Sequence, residues 1–279
     1  MQKIFVPPMN GLKELNNLFI ELTQKNCNQR CKECYIDFPI TRNIKDFIQI
    51  DKIKEALNDT KNENLNCIYL TGAEPMTHPD FNSILRLCLK RTNVCIMTNA
   101  SFINEKKSRF LKKVEDESQY RIITKLSFAS YDEEKNDNVR FKGAFRQNIF
   151  ALKCLEKYGF VSVICINNFY NEDKNQIMSK FQEILKNNNI QNAIIQITEW
   201  AKKENSIAEI DKEMPCLDCS NGRILTSSGV YACPFLSNDY RGRVGSDFKD
   251  HQKDVRLETS FCSTCLKNKN PMFSIKIEA

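Results

Sequence analysis

Over the first two hundred residues the hydrophobic positions alternate between two patterns. Runs that are apolar almost throughout, at residues 17–23, 66–71, 94–98, 122–128, 161–166 and 193–198, predict strands. Between them, residues 51–57, 80–90, 104–114, 145–158 and 173–185 space their apolar positions as one-faced helices do. A strand that is apolar on both faces needs cover on both faces, as in a parallel sheet flanked by helices. Six such strands separated by helices predict an α/β fold, either doubly wound or closed part-way into a barrel. Both arrangements put working residues at the carboxyl ends of the strands.

Beyond Trp200 the alternation stops. A lysine- and glutamate-rich stretch leads into a segment with five cysteines, several Gly and Ser and only short apolar runs. A hairpin is predicted within residues 223–235, turning at Ser228-Gly229. The boundary falls at residue 200, leaving a tail, 201–279, too small and polar to build a core without a metal staple.

The composition narrows the chemistry. The 279 residues hold 13 Cys and only 2 His. His78 and His251 lie far apart in sequence, which argues against imidazole-based catalysis. No apolar stretch is long enough for a membrane span, and the opening residues lack a signal-peptide pattern. A cytoplasmic protein is therefore expected, with cysteines reduced and available to metals. The net charge of +6 comes from 41 basic and 35 acidic residues interleaved along the chain, a solvated surface rather than a nucleic-acid groove.

Directly after the first predicted strand comes Cys27-x3-Cys31-x2-Cys34. Three thiolates so close can hold three corners of a cubic iron–sulfur cluster and leave one iron open. The alternative is a zinc loop completed by a distant residue. The loop is followed in order by Thr71-Gly72-Ala73-Glu74-Pro75, Thr98-Asn99-Ala100, Leu126-Ser127-Phe128 and Arg140-x2-Gly143-x-Phe145. In content and order these resemble the motifs of the radical S-adenosylmethionine (SAM) superfamily, across roughly residues 15–200.

That resemblance implies a partial (β/α)6 TIM-like barrel, with Cys27, Cys31 and Cys34 holding a [4Fe–4S] cluster whose open iron chelates SAM. It implies that Glu74, with the backbone of Gly72 and Ala73 ahead of Pro75, binds the methionyl ammonium. Ser127 would reach the ribose hydroxyls and Arg140 the SAM carboxylate. Tyr35, Thr98, Asn99 and Asn167 complete the implied cofactor set. Two positions depart from the family pattern: Ala73 stands where a second glycine is usual, and Glu33 where many relatives carry an aromatic, which here follows at Tyr35. His78 is expected to pack or cap the next helix.

In the tail, Cys216-x2-Cys219-x13-Cys233 and Cys262-x2-Cys265 resemble the auxiliary-cluster (Twitch or SPASM) modules of that superfamily. The resemblance implies a second [4Fe–4S] cluster, and paired C-x2-C halves equally suit a four-cysteine zinc site. Cys67, Cys88, Cys95, Cys154 and Cys165 sit in apolar patterns and read as core.

The implied reaction is reductive cleavage of SAM, followed by hydrogen abstraction from a small-molecule substrate. An electron donor of the flavodoxin or ferredoxin kind is the implied partner. A likeness of the tail to a GTP-cyclising family points to a nucleobase- or nucleoside-like heterocycle, for example in a 7-deazapurine lyase reaction. Maturation of a peptide or protein side chain, and a non-enzymatic iron–sulfur or zinc protein, are the alternatives. Glu199, after the sixth strand, is the candidate catalytic carboxylate, with Tyr131, Asp132 and Asn168 as further candidates near strand ends.

Overall fold

The computed structural model describes residues 7–36, 38, 40, 44–200, 217–268 and 270–275. Its strands are β1 (Met9–Asn10), β2 (Asn17–Thr23), β3 (Cys67–Gly72), β4 (Asn93–Thr98), β5 (Ile122–Phe128), β6 (Val161–Asn168), β7 (Ala193–Glu199), β8 (Gly222–Thr226), β9 (Gly229–Tyr231), β10 (Arg243–Gly245) and β11 (Val255–Arg256). Its helices are α1 (Ile50–Asp59), α2 (Phe81–Leu89), α3 (Glu105–Asp116), α4 (Glu133–Val139), α5 (Ala144–Lys157), α6 (Lys174–Asn187), α7 (Asp218–Asn221) and α8 (Ser260–Asn268).

Strands β2 to β7 lie side by side in chain order and all parallel. A doubly wound sheet would reverse its order at a switch point, so this unbroken order selects the partial-barrel alternative. The tail continues the same sheet. β8 pairs parallel with the free edge of β2, and β9 and β10 follow antiparallel, making nine strands in all. The hairpin turns at Ser227-Ser228, one residue earlier than predicted, with Thr226 opposite Gly229. β1 and β11 form a separate antiparallel pair.

Period-two alternation sorts the strand side chains into two cores. Leu18, Ile20, Leu70, Ile96, Leu126 and Ile164 meet the helices. Phe19, Cys67, Tyr69, Cys95, Ile123 and Val163 form the inner face, joined by Ile224 and Tyr231 from the tail. Helix starts follow the side-chain capping rule: Asn104, Asp132 and Asp173 accept from the backbone N–H three residues on. Among the described residues no helix is long and apolar enough to cross a membrane.

Residues 271–275 cross the inner face without joining a strand. Backbone groups buried in this way need partners, and side chains supply them. Asp218 accepts from the N–H groups of Met272 (2.7 Å), Phe273 (2.9 Å) and Ser274 (2.8 Å). Lys125 Nζ donates to the Phe273 carbonyl at 2.7 Å, and the Tyr69 hydroxyl accepts from the Ile275 N–H at 3.0 Å. The Phe273 ring lies edge-on to Phe19 and Tyr35.

Candidate functional site at the strand ends

The loop bearing Cys27, Cys31 and Cys34 leaves β2 and is fastened on three sides. Thr23 Oγ accepts from the Asn26 N–H (3.1 Å) and donates to the Asp46 carbonyl (2.6 Å). Asn99, just after β4, donates to Asn28 Oδ1 at 2.9 Å and lies 3.7 Å from the Cys27 sulfur. The Lys32 N–H bonds the Val139 carbonyl at 2.8 Å, and Glu33 forms a buried ion pair with Arg140, both at the end of α4. The three thiols are half-buried and near enough to influence one another electrostatically. Burial raises all three above the ordinary thiol value, Cys34 to about 11, so free thiolates are disfavoured until a metal compensates their charge.

Glu74 is the hub of the strand ends. Its carboxylate is fully buried and accepts from the Met76 N–H (3.1 Å), the Thr98 hydroxyl (2.9 and 3.0 Å) and the Asn99 N–H (2.9 Å). Burial lifts its pKa to about 7 against these donors. The carboxylate thus locks the end of β3 to the end of β4. At Gly72, φ is +119° and an added Cβ would stand 2.2 Å from the Thr23 carbonyl oxygen, so only glycine fits. Ala73 adopts no such backbone, and its N–H bonds the same carbonyl at 2.7 Å, which explains why its methyl is accommodated. Pro75 opens a short 3-10 turn, and His78 accepts from the Asp80 N–H while its other ring nitrogen meets the Ile48 carbonyl, a packing and capping role.

The other predicted residues divide. Ser127, half-buried on β5, shares the inner-face parity of Ile123 and Lys125. Asn167 at the end of β6 accepts from the Thr198 hydroxyl at 2.9 Å. Tyr35 packs between Phe235 and Phe273, joining the cysteine loop to the tail. Glu199 is not brought to this site. Its neighbours Ile195 and Ile197 pack on the helix-side core, and its carboxylate pairs with Lys174 of α6 at 2.6 Å. The alternation of β7 turns Gln196 and Thr198 inward and Glu199 outward.

Glu21 is an inner-face carboxyl that the sequence reading missed. It accepts from Ser237 Oγ at 2.9 Å and from the Gln24 amide, and burial raises its pKa to about 8. Its signal was an acid inside the apolar run NLFIELT.

Cys219, Cys233, Cys262 and Cys265 line one cavity, walled by Leu217, Leu236, Phe235, Phe261 and Phe273 among others. Cys262 and Cys265 are one helical turn apart on α8, and Thr259 Oγ accepts from the Cys262 N–H at 3.2 Å. Burial and mutual repulsion raise Cys219 to about 12 and hold Cys233 and Cys265 well above the usual thiol value. Cys216 lies outside the described residues. No described set of three or more His, Cys, Asp or Glu is drawn together tightly enough for a single metal ion. Of the five cysteines read as core, Cys67, Cys88, Cys95 and Cys154 are buried and Cys165 is half-buried.

Residues 22–184 match the Radical SAM superfamily. Among solved structures the fold is similar to hexahistidine-tagged anSMEcpe with bound AdoMet, at 15% identity and a TM-score of 0.62, over 93% of this chain and 84% of that one. It is also similar to methylornithine synthase (PylB), at 15% identity and a TM-score of 0.52, over 85% of this chain and 80% of that one. A search of curated proteins found no match. The family match spans more than half of the sequence and contains the cysteine loop, the Glu74 hub and Arg140: the chain belongs to the Radical SAM superfamily.

Proposed function

We propose that this enzyme cleaves SAM reductively and removes a hydrogen atom from a small heterocyclic substrate of nucleobase or nucleoside type, in a lyase-like reaction. The observation that carries the reading is the convergence of the ends of β3, β4 and α4 on one three-cysteine loop, through the Glu74 hub, Asn99 and the Arg140–Glu33 pair. Cys27, Cys31 and Cys34 fit a [4Fe–4S] cluster with one open iron, because no fourth cysteine or histidine lies in that loop. When bound, cluster and SAM together supply a 5′-deoxyadenosyl radical. The chain's own task is to position and shield.

The backbone carbonyls around Gly72 and Ala73 stand next to the loop to accept from the methionyl ammonium of SAM, while Glu74 keeps this turn in place. Residues 271–275 cover part of the inner face beneath the loop. That cover restricts the space and supports a small substrate over a threaded peptide. Glu21, with Gln24 and Ser237, presents the polar patch of this face that suits a heterocycle's nitrogen and oxygen atoms.

The tail cavity holds a second [4Fe–4S] cluster on Cys219, Cys233, Cys262 and Cys265. Four thiols in a largely apolar wall suit it. Electrons come from a donor of the flavodoxin or ferredoxin kind.

The test is anaerobic incubation of the reduced, reconstituted protein with SAM. 5′-Deoxyadenosine should form and Cys31→Ala should abolish it; cleavage retained in that variant removes the cluster assignment. Metal analysis should find about eight irons per chain, whereas about four irons and one zinc would give the tail to zinc.

A further inference from the structure

We propose that Glu33, between the second and third cluster cysteines, is a positioning residue that holds Arg140 at the cofactor site. The inference rests on the family assignment and on a pair of side chains from two separate elements. Glu33 belongs to the cysteine loop, and Arg140 is the residue that ends α4. Arg140 Nη1 donates to Glu33 Oε1, with side-chain exposures of only 6% and 2%.

Removing two charges from water costs several kcal/mol per ion, and only good geometry with further polar partners offsets that cost. Here the offset is incomplete. Arg140 Nε and Glu33 Oε2 are both buried without a hydrogen-bond partner. Each side of the pair therefore keeps one polar edge unused in a place closed to solvent. Beside the pair, the Val139 carbonyl at the end of α4 accepts from the Lys32 N–H at 2.8 Å, so Arg140 stands directly against the cysteine loop.

A guanidinium in such a place needs a partner. Left alone, a buried guanidinium would settle on whatever acceptor it could reach, since an unpaired charge away from water is costly. Glu33 gives it a closer partner and fixes its plane through one nitrogen. That leaves the Nε edge presented for an incoming carboxylate, the geometry in which arginine binds such groups best. An aromatic ring between the cysteines would supply neither charge nor acceptor. In this chain a charged strut replaces it.

The experiment measures SAM binding to the oxidised, cluster-loaded protein by equilibrium dialysis, where no turnover occurs. Wild type, Glu33→Ala, Glu33→Gln, Arg140→Ala and the double variant E33A/R140A are compared. Glu33→Ala and Arg140→Ala should each weaken SAM binding about tenfold or more, the worth of a charge-assisted hydrogen bond. Glu33→Gln, which keeps an acceptor, should lie between them and wild type. The double variant should bind no worse than Arg140→Ala alone, because Glu33 acts through Arg140.

The change that SAM makes in the electron paramagnetic resonance spectrum of the reduced cluster should shrink in Glu33→Ala in the same proportion. Wild-type affinity in Glu33→Ala, or additive losses in the double variant, would overturn the proposal. If Glu33→Ala fails to load iron, the same cycle is read on the apoprotein in urea. A double variant at least as stable as either single variant supports the strut, and additive losses overturn it. A wild-type protein that binds no SAM fails the family reading instead, so the two failures are distinct.

Discussion

Glu21 lies on β2 with its carboxyl on the inner face, bonded by Ser237 and Gln24. Its pKa of about 8 in the fold, against 4.5 in the free side chain, arises from burial. A raised carboxyl contributes stability that is fully present below about pH 4.5 and is lost as pH rises through 8. The apoprotein's urea midpoint should therefore fall between pH 5.5 and pH 8.5 more steeply in wild type than in Glu21→Gln. The accumulated difference should be on the order of a few kcal/mol. Parallel pH profiles would show that Glu21 is already ionised at pH 5.5. Glu74, raised to about 7, adds a slope of the same sign to both proteins, so the comparison isolates Glu21.

At the scale of elements, the pieces that assemble the site are those with the weakest sequence signal. Helix α4, EEKNDNV, has almost no apolar periodicity, yet its end docks the cysteine loop through Val139 and Arg140. Helix α8 is short and carries two of the four cysteines that line the tail cavity. Residues 271–275 form no strand or helix and are held by Asp218, Lys125 and Tyr69. Asp218→Ala would leave three backbone donors without their acceptor, at about 1–3 kcal/mol for each one that stays buried. The C-terminal residues should then be trimmed faster by carboxypeptidase, with a lower unfolding midpoint. Trimming at the wild-type rate would show that Asp218 does not hold the segment.

Across the whole molecule, the tail and the barrel share one sheet through the β2–β8 pairing, and they share aromatic packing. Tyr35 beside Cys34 contacts Phe235, and Phe235 stacks on Phe261 beside Cys262, with ring centroids 4.6 Å apart. The two cysteine sites are thus joined by packed rings, and metal in the tail should stabilise more than the tail. Cys233→Ala should lower iron by about half, to one cluster's worth, and should also lower the holoprotein's melting temperature. Unchanged iron content would remove the second cluster.

Strand and helix positions were legible because their information is local. An apolar run or a 3.6-residue period survives in the sequence whatever lies opposite it, and the predicted strands differ from those found by at most two residues at an end. The cysteine loop was legible for the same reason, since its three cysteines span eight residues. Parity along a strand was harder: Glu199 stands at a strand end as expected, but one residue's step turned it to Lys174 rather than inward. Long-range pairings such as Glu33 with Arg140, Asp218 with the chain end and Cys219 with Cys265 leave no trace in spacing. By itself the sequence determined the alternating α/β pattern and the three-cysteine loop with the motifs that follow it. Only the tertiary structure decided which buried charges meet, which four described tail cysteines share a cavity and what covers the inner face, because these follow from packing between elements far apart in the chain.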